Sequence, residues 1–132
     1  MKNSDKEVLK ANESFYQALR DGDFQSMDSL WANQDEVAVV HPGWSPLHGR
    51  EAVMESWRRI FGGGSTSEIT CSKAEAHILG NVAYVVCSEC FPEGELVATN
   101  IFKLEGEEWK MVHHQGGVMT APVIDSEGET IH

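Results

Sequence analysis

The hydrophobic period of this chain changes once, and that change divides it into two kinds of structure. Up to Phe61 apolar residues recur every three or four positions, and from Ser65 to Gly117 they alternate. The first period buries one stripe of a helix, the second one face of a strand. Helices followed by strands, without alternation of the two, predict an α+β fold in which a curved antiparallel sheet packs its concave face on about three N-terminal helices. At 132 residues the chain fits a single domain, residues 1–132, whose core needs no disulfide or metal to fold.

Local signals place the elements. Ser4-Asp5-Lys6-Glu7 has the pattern of a capping box, so a helix begins at Asp5, buries Val8, Leu9, Asn12, Phe15, Ala18 and Leu19, and ends at Gly22. Asp23 caps a second, short helix with Phe24, Met27, Leu30 and Trp31 on one stripe. The β-branched run Val37 to His41 is a strand that Pro42-Gly43 terminates, because proline lacks a ladder donor. After a loop, a third helix from about Arg50 to Phe61 buries Val53, Trp57 and Ile60. Gly62-Gly63-Gly64 closes that helix rather than opening one, so it is no phosphate loop. Turns at Gly80-Asn81, Pro92-Glu93-Gly94 and Glu105-Gly106-Glu107 divide the remainder into four strands. Residues 118–132 form an acidic, peripheral tail.

Charge and composition exclude several classes. Asp and Glu outnumber Lys and Arg by 21 to 10, a net charge of -11 that repels nucleic acid and anionic membranes, so neither is an expected partner. No apolar run reaches the roughly 18 residues of a membrane span. The start, MKNSDKEVLKANE, has no apolar signal core, and a cytoplasmic location is expected. Cys71, Cys87 and Cys90 lack zinc spacing and read as reduced thiols. His41, His113 and Glu89 share no spacing that would make them converge on a metal, and no cofactor is expected.

Pairing the strands through their turn midpoints gives a register. Phe91 then opposes Leu96, Glu89 opposes Ala98, Cys87 opposes Asn100, and Val85 opposes Phe102. In the next hairpin Leu104 opposes Trp109, Phe102 opposes Met111, Asn100 opposes His113, and Ala98 opposes Gln115. The face they share is apolar at one end and polar at the other, where Glu89, Asn100, His113 and Gln115 gather. Such a gradient fits a cavity that admits a ligand; it fits a hydrogen-bonded rim as well. The opposite face, with Val82, Tyr84, Val86, Val97, Thr99, Ile101 and Val112, and with His114 at its polar end, is apolar enough to require a cover. A second copy of the sheet is the economical one, giving a homodimer.

The helix pair, the strand ending in His41-Pro42, the helix with Gly49-Arg50-Glu51-Ala52-Val53 and Trp57, and the long meander resemble the nuclear transport factor 2-like superfamily, a cystatin-like fold. Met27 to Trp31, His41 to Trp57, Thr99 to Phe102 and Trp109 to His114 resemble its SnoaL-like group, which includes polyketide cyclases and ketosteroid isomerase relatives. That resemblance implies a cone of sheet and helices around a pocket, commonly in dimers. It implies no single function.

In the isomerase pattern the base is an aspartate before a proline at the end of the first strand. Here His41 holds that position. The oxyanion acid lies two residues before a strand phenylalanine, which points to Asn100, and the tyrosine donor falls at Phe15, with Tyr16 adjacent. The resemblance thus implies acid–base chemistry on a small, apolar, carbonyl-containing ligand, with His41 moving a proton while Asn100 and His113 hold an oxygen. Phe15, Trp31, Trp44, Trp57, Cys87, Glu89 and Gln115 would line the pocket. The alternative is a noncatalytic dimerisation or ligand-sensing module, in which the same aromatics are simply core and enzyme status stays open.

Overall fold

The computed structural model describes residues 4–63 and 68–118, and the backbone of 123–124 and 130–131. Its helices are α1 (Asp5–Asp21), α2 (Phe24–Leu30) and α3 (Arg50–Gly62), and its strands are β1 (Ala38–Val40), β2 (Leu47–His48), β3 (Thr70–Leu79), β4 (Val82–Phe91), β5 (Gly94–Glu105), β6 (Glu108–Val118), β7 (Val123–Ile124) and β8 (Thr130–Ile131). Helix α1 starts where its cap predicts, with Ser4 Oγ accepting the Glu7 N–H at 3.3 Å. It ends at Gly22, whose left-handed backbone (φ 62°) lets its N–H bond to the Ala18 and Leu19 carbonyls. Asp23 caps α2 through the Ser26 N–H. Arg50 at the start of α3 donates to the Asp28, Trp31 and Ala32 carbonyls and to Asp28 Oδ1, at 2.8 to 3.1 Å, binding α3 to the end of α2.

Six strands form one sheet in the order β2-β1-β6-β5-β4-β3. Strands β3 to β6 are the antiparallel meander that the turn signals predict, while β1 joins β6 in parallel and makes the sheet mixed. Strand β2 lies in the stretch read as a loop; two residues are too few to carry a period. Strands β7 and β8 pair as a separate small sheet, and the rest of the expected tail lies outside the described residues.

Two register differences matter. The β4–β5 turn is tight, with Phe91 opposite Gly94, so Cys87 faces Ala98 and Asn100 faces Val85. Both pairs are displaced by two positions from the midpoint register. A shift of two preserves sidedness, so Glu89, Cys87 and Asn100 keep their inward face. The second difference reverses sidedness. In β6 Phe102 pairs with Met111 but Ile101 pairs with His113, leaving Val112 as the extra residue of a bulge. There the chain also turns to α2: Met111 bridges Trp31 and its carbonyl accepts the Ala32 N–H at 2.9 Å.

Beyond the bulge, inside and outside exchange. His114 and Gly116 point inward and are buried, while Gln115 is exposed and His113 half-buried. The inward placement expected of His113 and Gln115, and the outward one of His114, are therefore corrected. The core between helices and sheet is built on Val8, Phe15, Met27, Trp31, Val39, Val53, Trp57, Val85, Phe102 and Met111, all at most 2% exposed.

Candidate active site

A cavity of about 350 Å³ opens between the end of α1, the loop after β1, the last turns of α3 and the inner face of β4 to β6. Leu19, Ile60, Phe61, Ile69, Phe91 and Leu96 make it apolar; Trp57 and Trp44 are aromatic walls; His41, Glu89 and His114 supply the polar groups. Two wider depressions, one beside α1 and α2 and one at the start of α3, are lined largely by exposed charged and hydroxyl side chains. Burial concentrates the chemistry in the first cavity.

His41 leaves the end of β1 at Pro42 and is 4% exposed. Its Nε2 lies 2.9 Å from Ser56 Oγ, and Ser56 in turn donates to the Val53 carbonyl at 2.7 Å. With the Ser56 proton spent there, Nε2 must be the donor, which leaves His41 Nδ1 as a lone pair. Burial pulls the imidazole down to about 4. It is therefore neutral in ordinary buffers.

His114 is set by a longer network. Its Nδ1 lies 2.6 Å from Asn100 Oδ1, and Asn100 Nδ2 donates to Asn12 Oδ1 at 2.8 Å and to the Tyr16 hydroxyl at 3.1 Å. The Tyr16 O–H donates to Glu89 Oε2 at 2.6 Å, and Cys87 Sγ lies 3.3 Å from the Tyr16 hydroxyl oxygen. Because Asn100 uses its oxygen as an acceptor, His114 carries its proton on Nδ1 and turns a bare Nε2 to Glu89 Oε2, 3.9 Å away. Burial first, then the neighbouring His41 and His113, pull His114 down to about 3. Burial pushes the Glu89 carboxyl up, partly offset by the Tyr16 hydrogen bond, and raises the Tyr16 phenol strongly. Thus an acid held toward its neutral form sits beside two neutral imidazoles.

The expected residues divide accordingly. His41, Glu89, Trp44 and Trp57 line the cavity, Trp44 as its half-exposed rim. Asn100, Phe15 and Cys87 lie behind it: Asn100 orients His114, Phe15 packs against the His114 ring at 4.7 Å, and Cys87 meets Tyr16. Trp31 backs Trp57 at 6.4 Å and gives its N–H to Met27 Sδ. His113 and Gln115 belong to the other side of the sheet. Tyr16, adjacent to the position where the resemblance put a tyrosine, is the hub, and Asn12 and Ser56 orient its neighbours. Among the described residues, no group of three His, Cys, Asp or Glu side chains is arranged to hold a metal.

Residues 8–121 match a family model described as SnoaL-like domain. The chain belongs to that family. This SnoaL-like chain is 30% identical to a proposed dehydratase of the NTF2-like family from Streptomyces avermitilis, covering 88% of this chain and 96% of that one, with a TM-score of 0.79. It is 29% identical to a proposed calcium/calmodulin-dependent protein kinase type II association domain from Thiobacillus denitrificans, covering 83% and 93%, with a TM-score of 0.77. Against the F-box protein SKIP8 of Arabidopsis thaliana it is 28% identical over 127 residues, which is 95% of this chain and 54% of that protein. The SnoaL-like chain thus spans about half the length of that curated relative. Among its described residues no helix is long and apolar enough to cross a membrane.

Proposed function

We propose that this SnoaL-like domain binds a small, largely apolar carbonyl compound and moves protons on it without a cofactor, in the manner of an isomerase, cyclase or dehydratase. The observation that carries the reading is the meeting of Glu89, His41 and His114 on the wall of one apolar cavity. His41 Nδ1 removes a proton from the carbon beside the carbonyl. The electron pair of that C–H bond moves into the carbon–carbon bond, and the carbonyl oxygen takes the Glu89 proton to give an enol. Return of the His41 proton to the same or a neighbouring carbon, with the enol O–H giving its proton back to the Glu89 carboxylate as the carbonyl re-forms, regenerates both groups. His114, locked by Asn100, keeps a bare, neutral Nε2 toward Glu89 and so adds no positive charge that would draw the acid toward its ionised form.

Deuterium exchange tests this reading without knowledge of the natural substrate. In D2O the protein is expected to speed α-proton exchange of 1-indanone, followed by NMR, and His41→Ala or Glu89→Gln is expected to lower the rate by about 10²-fold or more. Exchange no faster than in buffer would sink the proposal.

Association is a second reading, favoured by the outer sheet face. Val82, Val86 and Val97 are each more than one third exposed there, next to Tyr84, Ile101 and Val112. The likeness to an association domain supports a homodimer through that face. The two readings are compatible, because the cavity opens on the other side of the sheet.

A further inference from the structure

Given the reading of the cavity as a ligand site, the donors on and behind its walls can be counted. His41 spends its N–H on Ser56, His114 on Asn100, and Tyr16 its hydroxyl proton on Glu89. Both amide hydrogens of Asn100 are also taken. The two imidazoles therefore meet a ligand with lone pairs, and beyond the Glu89 proton a ligand oxygen must find its donor elsewhere.

Trp57 differs from these. Its ring lines the cavity and is 1% exposed, yet its Nε1 is the one buried side-chain nitrogen or oxygen with no hydrogen-bond partner among the described residues. Rings enclose it: Phe61 stacks at 5.9 Å, and Phe15 and His41 meet it edge to face at 5.7 and 4.6 Å. Trp31, one ring deeper, shows how such a group is ordinarily satisfied, by Met27 Sδ at 3.3 Å. A buried donor left unmade costs about 1–3 kcal/mol, which folded proteins rarely tolerate without a use.

We infer that Trp57 Nε1 is the anchor for a ligand oxygen, so that the cavity selects apolar compounds bearing a carbonyl-type acceptor over their hydrocarbon counterparts. The anchor and the Glu89 proton would then converge on one oxygen, the indole holding it while the acid transfers its proton. Neither imidazole competes for that place, since both present acceptors.

The test uses 15N-labelled protein with 1-indanone and, as its oxygen-free counterpart, indane. Trp57→Phe identifies the Trp57 indole N–H signal by its disappearance. The ketone is expected to move that signal downfield and indane to move it much less. In Trp57→Phe the affinity for 1-indanone should fall about tenfold more than that for indane, since both compounds lose the same indole wall but only the ketone loses a donor. The shift is read on the wild-type chain and can be assigned by triple-resonance spectra, so it holds even where the variant is unstable. A Trp57 signal equally displaced by both compounds, or unmoved while the Trp44 indole at the rim shifts, would overturn the anchor and leave the cavity reading intact. If neither compound perturbs any cavity resonance, both readings fall.

Discussion

Tyr16 donates to Glu89 and accepts from Asn100 within a network whose proton directions are all determined, so its hydroxyl is the most informative atom to remove. Tyr16→Phe is expected to cost about 1–3 kcal/mol in urea denaturation, because Glu89, Asn100 and Cys87 all lose a partner. It should also push Glu89 higher still, since the Tyr16 bond is what draws that carboxyl down; a 13C titration of the carboxyl reads this. The two imidazoles make the opposite statement about pH. Their native pKa values lie below the unfolded value of 6.5, at about 4 and about 3, so their contribution to stability is complete above 6.5 and is lost as pH falls toward those values. Imidazole 15N shifts are expected to show both rings neutral at mildly acidic pH while Tm declines. Glu89 is raised, so its contribution is present at low pH and lost as pH rises. The Tm of Glu89→Gln relative to wild type should therefore climb with pH, and a difference independent of pH would contradict the shift. At this scale the sequence was partly legible: His41 and Glu89 stand on the cavity as read, and Tyr16 was one position from its expected place. On α1 both Phe15 and Tyr16 are buried, Phe15 against Trp57 and His114 and Tyr16 beneath the strands. A single helical stripe does not distinguish them.

Helices and turns announced themselves because caps and glycines act locally. Ser4, Gly22 and Asp23 do in the fold what their chemistry predicts. Arg50 shows what periodicity does not reveal: a charged residue at a helix start that fastens another helix by fork-shaped hydrogen bonds. Arg50→Ala is expected to lose about 2–3 kcal/mol, and Arg50→Lys to recover only part of it, since an ammonium cannot hold several carbonyls in one plane. Denaturation midpoints at equal m-value check both. Strand pairing was legible in the last hairpin as far as Met111 and not beyond, because the β6 bulge follows from a long-range contact between Met111 and the Trp31–Ala32 segment. Gly116 lies past that bulge against the site. A Cβ there would stand 3.3 Å from Glu89 Oε1 and 3.4 Å from Pro42 Cγ, so Gly116→Ala is expected to destabilise by about 1–2 kcal/mol and to disturb Glu89.

For the molecule as a whole, the sheet separates two surfaces, the cavity on the helix side and the apolar patch on the other. Sedimentation at micromolar concentration is expected to give a dimer for the wild type and a folded monomer for Val86→Lys, since Val86 lies 40% exposed on the outer face. A monomeric wild type would remove the association reading and leave the cavity chemistry untouched. The bulge at Val112 adds a consequence for anyone redesigning or evolving this domain. Strand β6 carries two reading frames of sidedness, one up to Met111 and the other from His113 onward. A mutational library built on a uniform alternation would place polar residues in the core over one half of the strand. Conversely, straightening the bulge with Val112 kept in the ladder would act as a frameshift in space, exchanging which of the paired histidines reaches the interior without altering either codon, whereas deleting Val112 would leave His114 facing in.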